Sequence, residues 1–358
     1  MPISEARIDS RPVALEAAIA QAAKLLAASR LPVFAGLGTD VAGARAAIAL
    51  AERVGGVFDH MHSDALLRDL AVMREAGAYV TTPNEARLRG ETLLLVGPGL
   101  NDAWPELTER LLSAPLAPEI GSERRVFWLC PGKSAIPAAA KAVGRGTAEL
   151  PMQLALLRAC IAGRLTKAPK AMADLAKGLQ AARFGVAVWS AAALDALTIE
   201  MLFGLIDELN TATRFTGLPL APPDNAIGVT QASGWMTGFP PRTAFGRGYP
   251  EHDPWRFDTR RLIEDGEADC AVWISSYGAA QPNWRTRVPT ITLAAGEPAE
   301  SGIAIRVGRP SFEHDSVEHD PRTGTLVARV AAHRTDTPSV AAVIARIGAA
   351  LPGGAWPC

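Results

Sequence analysis

Three copies of the tripeptide Glu-His-Asp are the densest group of potential metal ligands in the chain. They occupy residues 251–253, 313–315 and 318–320. Imidazole and carboxylate groups bind divalent metals, and two copies this close together could gather several such ligands. The second and third copies nevertheless lie in a turn-rich segment with Pro321 and Gly324, which favours solvated charges. We therefore interpret the tripeptides as surface charges.

His60 and His62 form a second group with potential metal ligands. Their spacing is that of the His-x-His pair found in some zinc hydrolases. The remaining four of the six histidines do not supply further ligands in the expected order. A half-exposed pair in a loop is the preferred interpretation.

Two glycine-containing turns could bind phosphate. GLGTDV at 36–41 resembles the start of a dinucleotide fingerprint, and Asp59 lies where a ribose-binding acid would follow, but Val41 replaces the third glycine. PGKS at 131–134 resembles the end of a P-loop, yet Phe127 stands where the first glycine is required. Both patterns predict ordinary strand-to-helix turns rather than nucleotide sites.

The segment 235–254 is rich in glycine, proline and aromatic residues. Its sequence is WMTGFPPRTAFGRGYPEHDP. Glycine permits close backbone approach, while proline fixes φ and removes a hydrogen-bond donor. The composition predicts a stiff binding loop that is neither a helix nor an interior strand.

Strands alternate with helices along most of the chain, which predicts α/β domains with doubly wound parallel sheets. Thr39 or Asp40 is the candidate N-cap of a helix at 41–53. The other predicted helices are 14–29, 63–75, 103–113, 151–163, 194–210, 258–265 and 338–350. The predicted strands are 31–36, 55–59, 78–82, 92–99, 125–132, 185–191, 269–275 and 288–294.

The chain is long enough for two domains. A polar stretch with Pro169 predicts a first α/β domain at 1–168 and a second at 169–358. The second is expected to contain a long Pro/Gly-rich loop at 215–257. Residues 300–335 are expected to be irregular or antiparallel.

Composition limits the class of protein. The 358 residues are 48% hydrophobic and 20% charged, with a net charge of −1, so nucleic acid and anionic membranes are not expected partners. The amino terminus lacks the pattern of a signal peptide, and no apolar run is long enough to cross a membrane. The cysteines have neither C-x-x-C nor disulfide-framework spacing: Cys130, Cys160, Cys270 and Cys358. A reduced, cytoplasmic protein is expected.

Half of the eight tryptophans lie within about fifty residues. Trp273 belongs to an apolar strand and is predicted to be in the core. Trp235, Trp255 and Trp284 lie in loops, where they could cover the core or form an interface with another subunit.

The segment 235–254 resembles the B subunit of the molybdenum- or tungsten-pterin formylmethanofuran dehydrogenases. It retains W-x-T-G-F-P and R-G-Y-P but departs from the family at Glu251, Asp253, Trp255 and Arg256. Weaker similarity extends over about residues 12–300. The resemblance implies two Rossmann-like domains similar to the central domains of molybdopterin oxidoreductases. It also implies a vestigial active-site loop formed by Trp235, Thr237, Gly238, Pro240, Arg247, Gly248, Tyr249, Pro250 and His252.

The parts of that family that hold the cofactor have no counterpart here. No cysteines have iron–sulfur cluster spacing, and the polar pterin-holding segments correspond to 100–105 and 131–134, which lack the family's polar residues. We therefore expect that the molybdopterin and the iron–sulfur cluster have been lost, that no metal is bound, and that no residue is catalytic.

This combination is similar to the B subunit of the bacterial formyltransferase/hydrolase complexes. The resemblance implies a structural subunit in tetrahydromethanopterin-linked, methanofuran-dependent one-carbon metabolism of methylotrophs. The implied partners are the other three components of the complex: an amidohydrolase-like A subunit, a β-helical C subunit, and a formyltransferase D subunit.

Two alternatives remain open at this point. The first is an active molybdenum or tungsten dehydrogenase subunit whose cluster-binding part lies on another chain, with Arg247 and His252 in its site. The second is a thiamine-diphosphate enzyme, since AAKLLAASRLPVFAGLG resembles the middle domain of those enzymes. Residues 264–266 (Glu-Asp-Gly), however, lack the first glycine of their magnesium-binding motif.

Overall fold

The computed structural model describes residues 6–121, 123–165, 167–278, 281–282, 284, 287–296 and 301–353. Cys358 lies outside this range. The helices are α1 (Leu15–Ala28), α2 (Val41–Arg53), α3 (Ser63–Ala76), α4 (Pro83–Arg89), α5 (Leu100–Ala103), α6 (Leu150–Ile161), α7 (Lys170–Gln180), α8 (Ala196–Leu209), α9 (Ala226–Thr237), α10 (Thr259–Glu264) and α11 (Val340–Ala349). Short turns of other helix types span Thr108–Leu112, Thr147–Glu149 and Ala191–Ala193.

The strands form two large sheets and one small one. They are β1 (Ala6–Ile8), β2 (Arg11–Pro12), β3 (Pro32–Gly38), β4 (Val57–Phe58), β5 (Thr92–Val96), β6 (Arg125–Leu129), β7 (Ala140–Val143), β8 (Gly185–Trp189), β9 (Phe215–Pro219), β10 (Thr243–Ala244), β11 (Glu251–His252), β12 (Cys270–Ser275), β13 (Thr290–Ala294), β14 (Ile303–Arg306), β15 (Ser316–Asp320) and β16 (Thr325–Arg329). Strands β15 and β16 form the small sheet.

Two compact units divide the chain differently from the predicted boundary at residue 168. Unit 1 contains residues 1–63, 223–319 and 326–358, and unit 2 contains 64–222 and 320–325. The predicted division into 1–168 and 169–358 is replaced because the amino-terminal strand β3 pairs with the distant strand β12. The alternation of strands and helices does not indicate which strands pair.

Unit 1 is built on a nine-stranded sheet in the order β11-β10-β4-β3-β12-β13-β14-β1-β2. The five strands from β4 to β14 are parallel, whereas β10, β11, β1 and β2 are antiparallel to their neighbours. Helices α1, α2, α9 and α11 pack around one apolar cluster, and Trp273 and Trp284 belong to another. The prediction that Trp273 lies in the core is confirmed.

Unit 2 is built on an all-parallel sheet in the order β7-β6-β5-β8-β9. Strand β5 is buried along its whole length, as expected for a central parallel strand. The predicted α/β class with parallel sheets is therefore confirmed. No helix among the described residues is both long and apolar enough to span a bilayer.

Three local predictions differ from the structure. Residues 78–82 are not a strand, since they contribute only a bridge between Val80 and Gly217. The helix predicted at 103–113 is interrupted after α5, because Pro105 cannot continue its hydrogen bonding. The region 215–257 is not a long loop: it contains β9, α9, β10 and β11.

Candidate functional site

The segment 235–254 begins inside a helix rather than in a loop. Trp235 and Thr237 lie in the last turn of α9, which ends at Gly238. Gly238 has a φ of 79° and donates its N–H to Gly234 O at 2.9 Å, as in a left-handed helix cap. The hydroxyl of Thr237 donates to Ser233 O at 2.8 Å. The prediction that Trp235 and Thr237 lie outside a helix is therefore wrong, whereas Gly238 does end it.

The rest of the segment forms an antiparallel edge of the unit 1 sheet. Thr243 pairs with both Phe58 and His252, and its hydroxyl donates to Pro240 O at 2.8 Å. Gly248, at a φ of 82°, closes a turn by donating to Phe245 O at 2.9 Å. Pairing to β4 holds this segment against the sheet.

Arg247 and His252, the candidate polar site residues, make local contacts. The Arg247 guanidinium lies 3.2 Å from the Glu251 carboxylate, and its side chain is 60% exposed. His252 Nδ1 lies 3.0 Å from Arg242 O, and its ring stacks on Phe239 with centroids 6.0 Å apart. Through these contacts both side chains help to hold the segment in its conformation.

Arg242 was not singled out by the sequence, yet it is the most buried cation of the segment. Its guanidinium lies 3.4 Å from Asp59 Oδ2 and 2.9 Å from Asp258 Oδ2, and it donates to Pro254 O at 2.7 Å. Burial raises the pKa of Asp59 to about 6, against the opposing effect of Arg242. The backbone and hydroxyl of Thr259 also approach Asp59 Oδ2, at 3.4 and 3.3 Å. Asp59 Oδ2 therefore contacts groups of the protein itself and is not available to bind a ribose.

The carboxyl ends of β3 and β12 define the unit 1 crevice. The chain runs from β3 through α2 to β4 on one side, and from β12 to β13 on the other. Ligands of open α/β sheets bind outside such a switch point. Thr39 and Asp40 follow β3 here, and Ser276 and Tyr277 follow β12.

Helix α2, which begins at the unit 1 crevice, is capped by its own chain. Asp40 Oδ1 accepts the N–H of Gly43 at 2.9 Å, as predicted for one of the two candidate caps. A Cβ at Gly43 would lie 2.1 Å from Thr39 Oγ1, and a Cβ at Gly38 would lie 2.9 Å from Met61 Cε. Both glycines allow close approach of the chain's own side chains.

Two residues from other parts of unit 1 donate hydrogen bonds to the turn after β3. The N–H and hydroxyl of Ser276 donate to Gly38 O at 2.7 and 2.9 Å. The side-chain amide of Asn225 donates to Thr39 O at 2.8 Å and accepts the His319 N–H at 2.8 Å. The polar groups of this turn are therefore used within unit 1.

Three carboxylates converge on the unit 1 crevice. Burial raises the pKa of Tyr277, and the negative charges of Glu318, Asp40 and Asp224 raise it further. Burial also raises the pKa of Asp40. The crevice is thus electrostatically unfavourable for an anion.

His60 and His62 lie beside this crevice and contact Asp224. His60 Nδ1 accepts the His62 N–H at 3.0 Å, so Nε2 carries the proton and donates to Asp224 O at 3.2 Å. Burial, assisted by the His62 charge, lowers the pKa of His60 to about 4. His62 Nε2 lies 3.0 Å from Asp224 Oδ2, and this hydrogen bond holds the pKa of Asp224 below its usual value. His60 is 2% exposed, so the prediction of a half-exposed histidine is wrong for that residue.

Apolar side chains close the corresponding switch point of unit 2, between β5 and β8. Gly97 follows β5 with a φ of 74°, and a Cβ there would lie 2.8 Å from Leu194 Cδ2 and 3.5 Å from Leu150 Cδ2. In the nearby PGKS turn, Gly132 donates its N–H to Arg145 O at 3.0 Å, and Ser134 donates to Pro131 O at 3.2 Å. These N–H groups do not form a phosphate cradle, in agreement with the sequence interpretation.

The Glu-His-Asp tripeptides bind neighbouring parts of the chain. Glu313 lies 2.6 Å from Arg306, and Asp315 lies 2.5 Å from Arg334. Within the residues that the structure describes, no group of three or more His, Cys, Asp or Glu side chains could hold a metal ion. Glu313 and Asp320 are buried, so the tripeptides are only partly on the surface.

One solved structure matches nearly the whole chain. It is the X-ray crystal structure of the formyltransferase/hydrolase complex (FhcABCD) from Methylorubrum extorquens in complex with methylofuran. The TM-score is 0.88 at 36% identity, over 96% of this chain and 97% of that chain. In sequence, the B subunit of the Fhc complex of M. extorquens is 40% identical over 350 residues, which cover 93% of this chain and 94% of the relative. The chain belongs to the family of Fhc B subunits.

More distant relatives of this Fhc B subunit lie among archaeal proteins. The B subunit of the tungsten-containing formylmethanofuran dehydrogenase 2 of Methanocaldococcus jannaschii is 25% identical, over 87% of this chain and 76% of the relative. Its counterpart in Methanococcus maripaludis is 23% identical, over 85% and 75%. No protein-family profile matches the chain. The sequence resemblance to both groups is confirmed.

The predicted site residues lie at the end of α9 and along the antiparallel edge of the unit 1 sheet. Gly248 and Tyr249 belong to the turn between β10 and β11, Pro250 precedes β11, and His252 ends it. Asp224 and Tyr277 of the crevice were missed by the sequence, because their neighbours come from elements far apart in the chain. A positive φ at Asp224, 57°, distinguishes it in the structure but leaves no sequence signal.

Proposed function

We propose that this chain is a non-catalytic structural B subunit of a formyltransferase/hydrolase complex and that it has lost the pterin, metal and iron–sulfur cofactors. The observation that carries the proposal is that the chain's own side chains close the switch points of both parallel sheets. Asp40 caps α2 in unit 1, and Leu194 packs against Gly97 in unit 2.

The residues present do not fit a pterin dinucleotide cofactor. Such a cofactor carries a diphosphate, which needs backbone N–H groups or cations. The unit 1 crevice instead offers the carboxylates of Asp40, Asp224 and Glu318. Among the described cysteines, Cys130 and Cys270 are buried, and burial raises the pKa of their thiols to about 11 and 12. A thiolate metal ligand is therefore disfavoured at these positions.

The complex would move a formyl group from tetrahydromethanopterin to a methanofuran-type carrier and hydrolyse it to formate. In this proposal the chemistry belongs to two of its partners, the amidohydrolase-like A subunit together with the formyltransferase D subunit. The β-helical C subunit would be a further structural partner. The match to the four-component FhcABCD structure supports a multi-subunit assembly.

An exposed apolar patch on the segment 235–255 would provide one contact with these partners. Five large side chains of this short segment are between 39% and 70% exposed: Trp235, Met236, Phe239, Tyr249 and Trp255. One face of Trp255 is covered by the Arg261 guanidinium at 4.6 Å. Exposed aromatic clusters of this kind are typical of interfaces, where tryptophan, tyrosine and arginine dominate binding.

Replacing both exposed tryptophans is expected to weaken assembly without unfolding the chain. Trp235→Ala combined with Trp255→Ala should reduce affinity for the partner subunits by about thirtyfold or more, since interface tryptophans contribute about 2 kcal/mol or more. Sedimentation or pull-down with the other subunits measures this. Met152→Ala, at a residue 64% exposed in unit 2, is the control and should assemble normally. Unchanged assembly of the double variant would remove the patch from the proposal.

Metal analysis tests the loss of the cofactor. We expect a tagged chain to copurify with its partner subunits and to contain only substoichiometric molybdenum, tungsten and iron. Plasma mass spectrometry of the intact complex measures the metals, and chromatography of an acid extract measures pterin. Stoichiometric metal with pterin would overturn the proposal.

The alternative of an active dehydrogenase rests on Arg247 and His252. Arg247 is exposed and could contact a carboxylate or formyl oxygen. In that case the complex would reduce an artificial electron acceptor with formate, and Arg247→Ala would abolish the activity. We expect no such reduction in either form, because the residues present do not fit the cofactor that would carry the electrons.

A further inference from the structure

Unit 2 contains a half-open pocket that the proposed function does not use. Its volume is about 510 Å³, within the range typical of small-molecule sites. Helix α4 forms one wall, the turn Thr108–Leu112 and the residues after it form another, and residues 322–323 form a third. All of these walls belong to unit 2.

Most of the charged side chains that line this pocket are cationic. Three arginines and one glutamate line it: Arg87, Arg110, Arg322 and Glu109. Arg110 and Arg322 share the carboxylate of Glu106, at 3.2 and 2.8 Å. Within the part of the chain that the structure describes, no hydrogen bond or ion pair occupies the guanidinium of Arg87, so it is available to a ligand.

A partly buried arginine, Arg124, fixes the walls and adds positive charge near Arg87. Arg124 donates to the carbonyls of Gly90 at 2.8 Å, of Ala114 at 3.0 Å and of Arg87 at 2.5 Å, and also to that of Leu111. These carbonyls belong to the chain around α4 and to the opposite wall. The pocket is therefore held open by hydrogen bonds rather than by a flexible loop.

Trp104 contributes apolar surface to the wall of this pocket. The residue lines the pocket and is 5% exposed, and its indole Nε1 has almost no accessible surface, so the ring carbons are what a ligand would contact. Pro83 and Pro115 give the same pocket an apolar surface.

We propose that this pocket binds a small organic anion whose carboxylate or phosphate group pairs with Arg87. The apolar body of the ligand would pack between Pro83 and Pro115. A planar guanidinium suits either anion because it can donate two parallel hydrogen bonds. The site is independent of the loss of the pterin cofactor proposed above.

Binding of simple aromatic anions to the full-length chain tests this site. Phenyl phosphate and benzoate supply the two anionic groups, benzamide is the neutral counterpart of benzoate, and inorganic phosphate lacks the apolar body. At low ionic strength, titration calorimetry should show that at least one aromatic anion binds about tenfold or more tightly than benzamide. Inorganic phosphate should bind more weakly than phenyl phosphate. The preferred aromatic anion identifies the group that the site selects.

Variants locate the binding. Arg87→Gln should weaken the preferred anion about tenfold, as expected for the loss of a charge-assisted hydrogen bond. Arg89→Gln is the matched control on α4, since Arg89 pairs with Glu85 at 2.9 Å, and should bind normally. Arg87→Lys keeps the charge and should retain part of the affinity.

Three results would overturn the proposal. They are the absence of saturable binding by both aromatic anions, equal binding of benzamide, and an affinity that Arg87→Gln leaves unchanged. Inorganic phosphate binding as tightly as phenyl phosphate would overturn the assignment of the apolar body. A melting temperature for each variant ensures that lost binding is compared between folded proteins.

Discussion

Replacing Arg242 with methionine is expected to lower the free energy of unfolding by about 3–5 kcal/mol at pH 8, because it leaves a buried carboxylate without its cation. The carboxylate is that of Asp59, whose side chain is 6% exposed and whose Oδ2 lies 3.4 Å from the guanidinium. Urea unfolding of the full chain measures the effect.

The effect should depend on pH. The pKa of Asp59 is about 6 in the folded protein and 3.8 without the fold. A carboxyl group with a raised pKa binds protons more tightly in the folded state, so its contribution to stability falls as pH rises from about 4 through 6. Removing Arg242, whose charge lowers this pKa, extends the loss to higher pH. The variant should therefore be closest to wild type near pH 5.

Two further variants separate the charge from the packing of Arg242. Asp59→Asn added to Arg242→Met removes the buried charge and should restore much of the stability at pH 8. Arg247→Met removes the exposed cation of the same segment, which pairs with Glu251, and should have no measurable effect. An Arg242→Met penalty that is equal at pH 5 and pH 8, and that Asp59→Asn does not relieve, would show that the charge of Asp59 is not the cause.

Gly36→Ala is expected to destabilise the centre of the unit 1 sheet by about 3–5 kcal/mol. Gly36 has a φ of 82°, and a Cβ there would lie 2.5 Å from Ile274 O and 3.1 Å from the Trp273 ring. The register between β3 and β12 shifts at this point, with an extra residue on β3 between the pairs Ala35–Trp273 and Gly38–Ser275. The first glycine of GLGTDV is thus required by a β-bulge.

Gly55→Ala is the matched control for this substitution. Gly55 also has a positive φ, 66°, but its added Cβ would have only Gly246 Cα nearby, at 3.9 Å. Gly55→Ala should therefore lower the free energy of unfolding only by the backbone strain, about 1–2 kcal/mol. Thermal or urea unfolding compares the two variants. Equal losses would mean that the contact with Ile274 is not what requires glycine at position 36.

Much of the fold could be predicted from local sequence patterns. Helix α2 begins after Asp40 because a carboxylate can accept the Gly43 N–H, and such a cap is visible in the sequence. The pairing of β3 with β12 was not predictable in this way, because it depends on contacts between residues far apart in the chain. The same limit explains the misplaced domain boundary.

The candidate site was only partly predictable. The resemblance located the segment 235–254, and its glycine at 238 does end a helix. Arg242, which holds the segment through ion pairs, was missed. Its partner Asp59 is far away in the sequence, and its partner Asp258 belongs to no recognisable motif. Composition also overstated irregularity, since α9 accommodates Gly228 in its buried part and Gly234 in its exposed last turn.

The pairing of β3 with β12 also has a consequence for biosynthesis. Residue 32 on β3 pairs with residue 270 on β12, so β3 has only the two-residue strand β4 to pair with until most of the chain has been made. Unit 2, which is almost entirely the continuous stretch 64–222, has all five of its strands available much earlier. During translation all five strands of unit 2 are therefore available while β3 still lacks β12. The apolar faces of α1 and α2 are the surfaces that need protection in that interval.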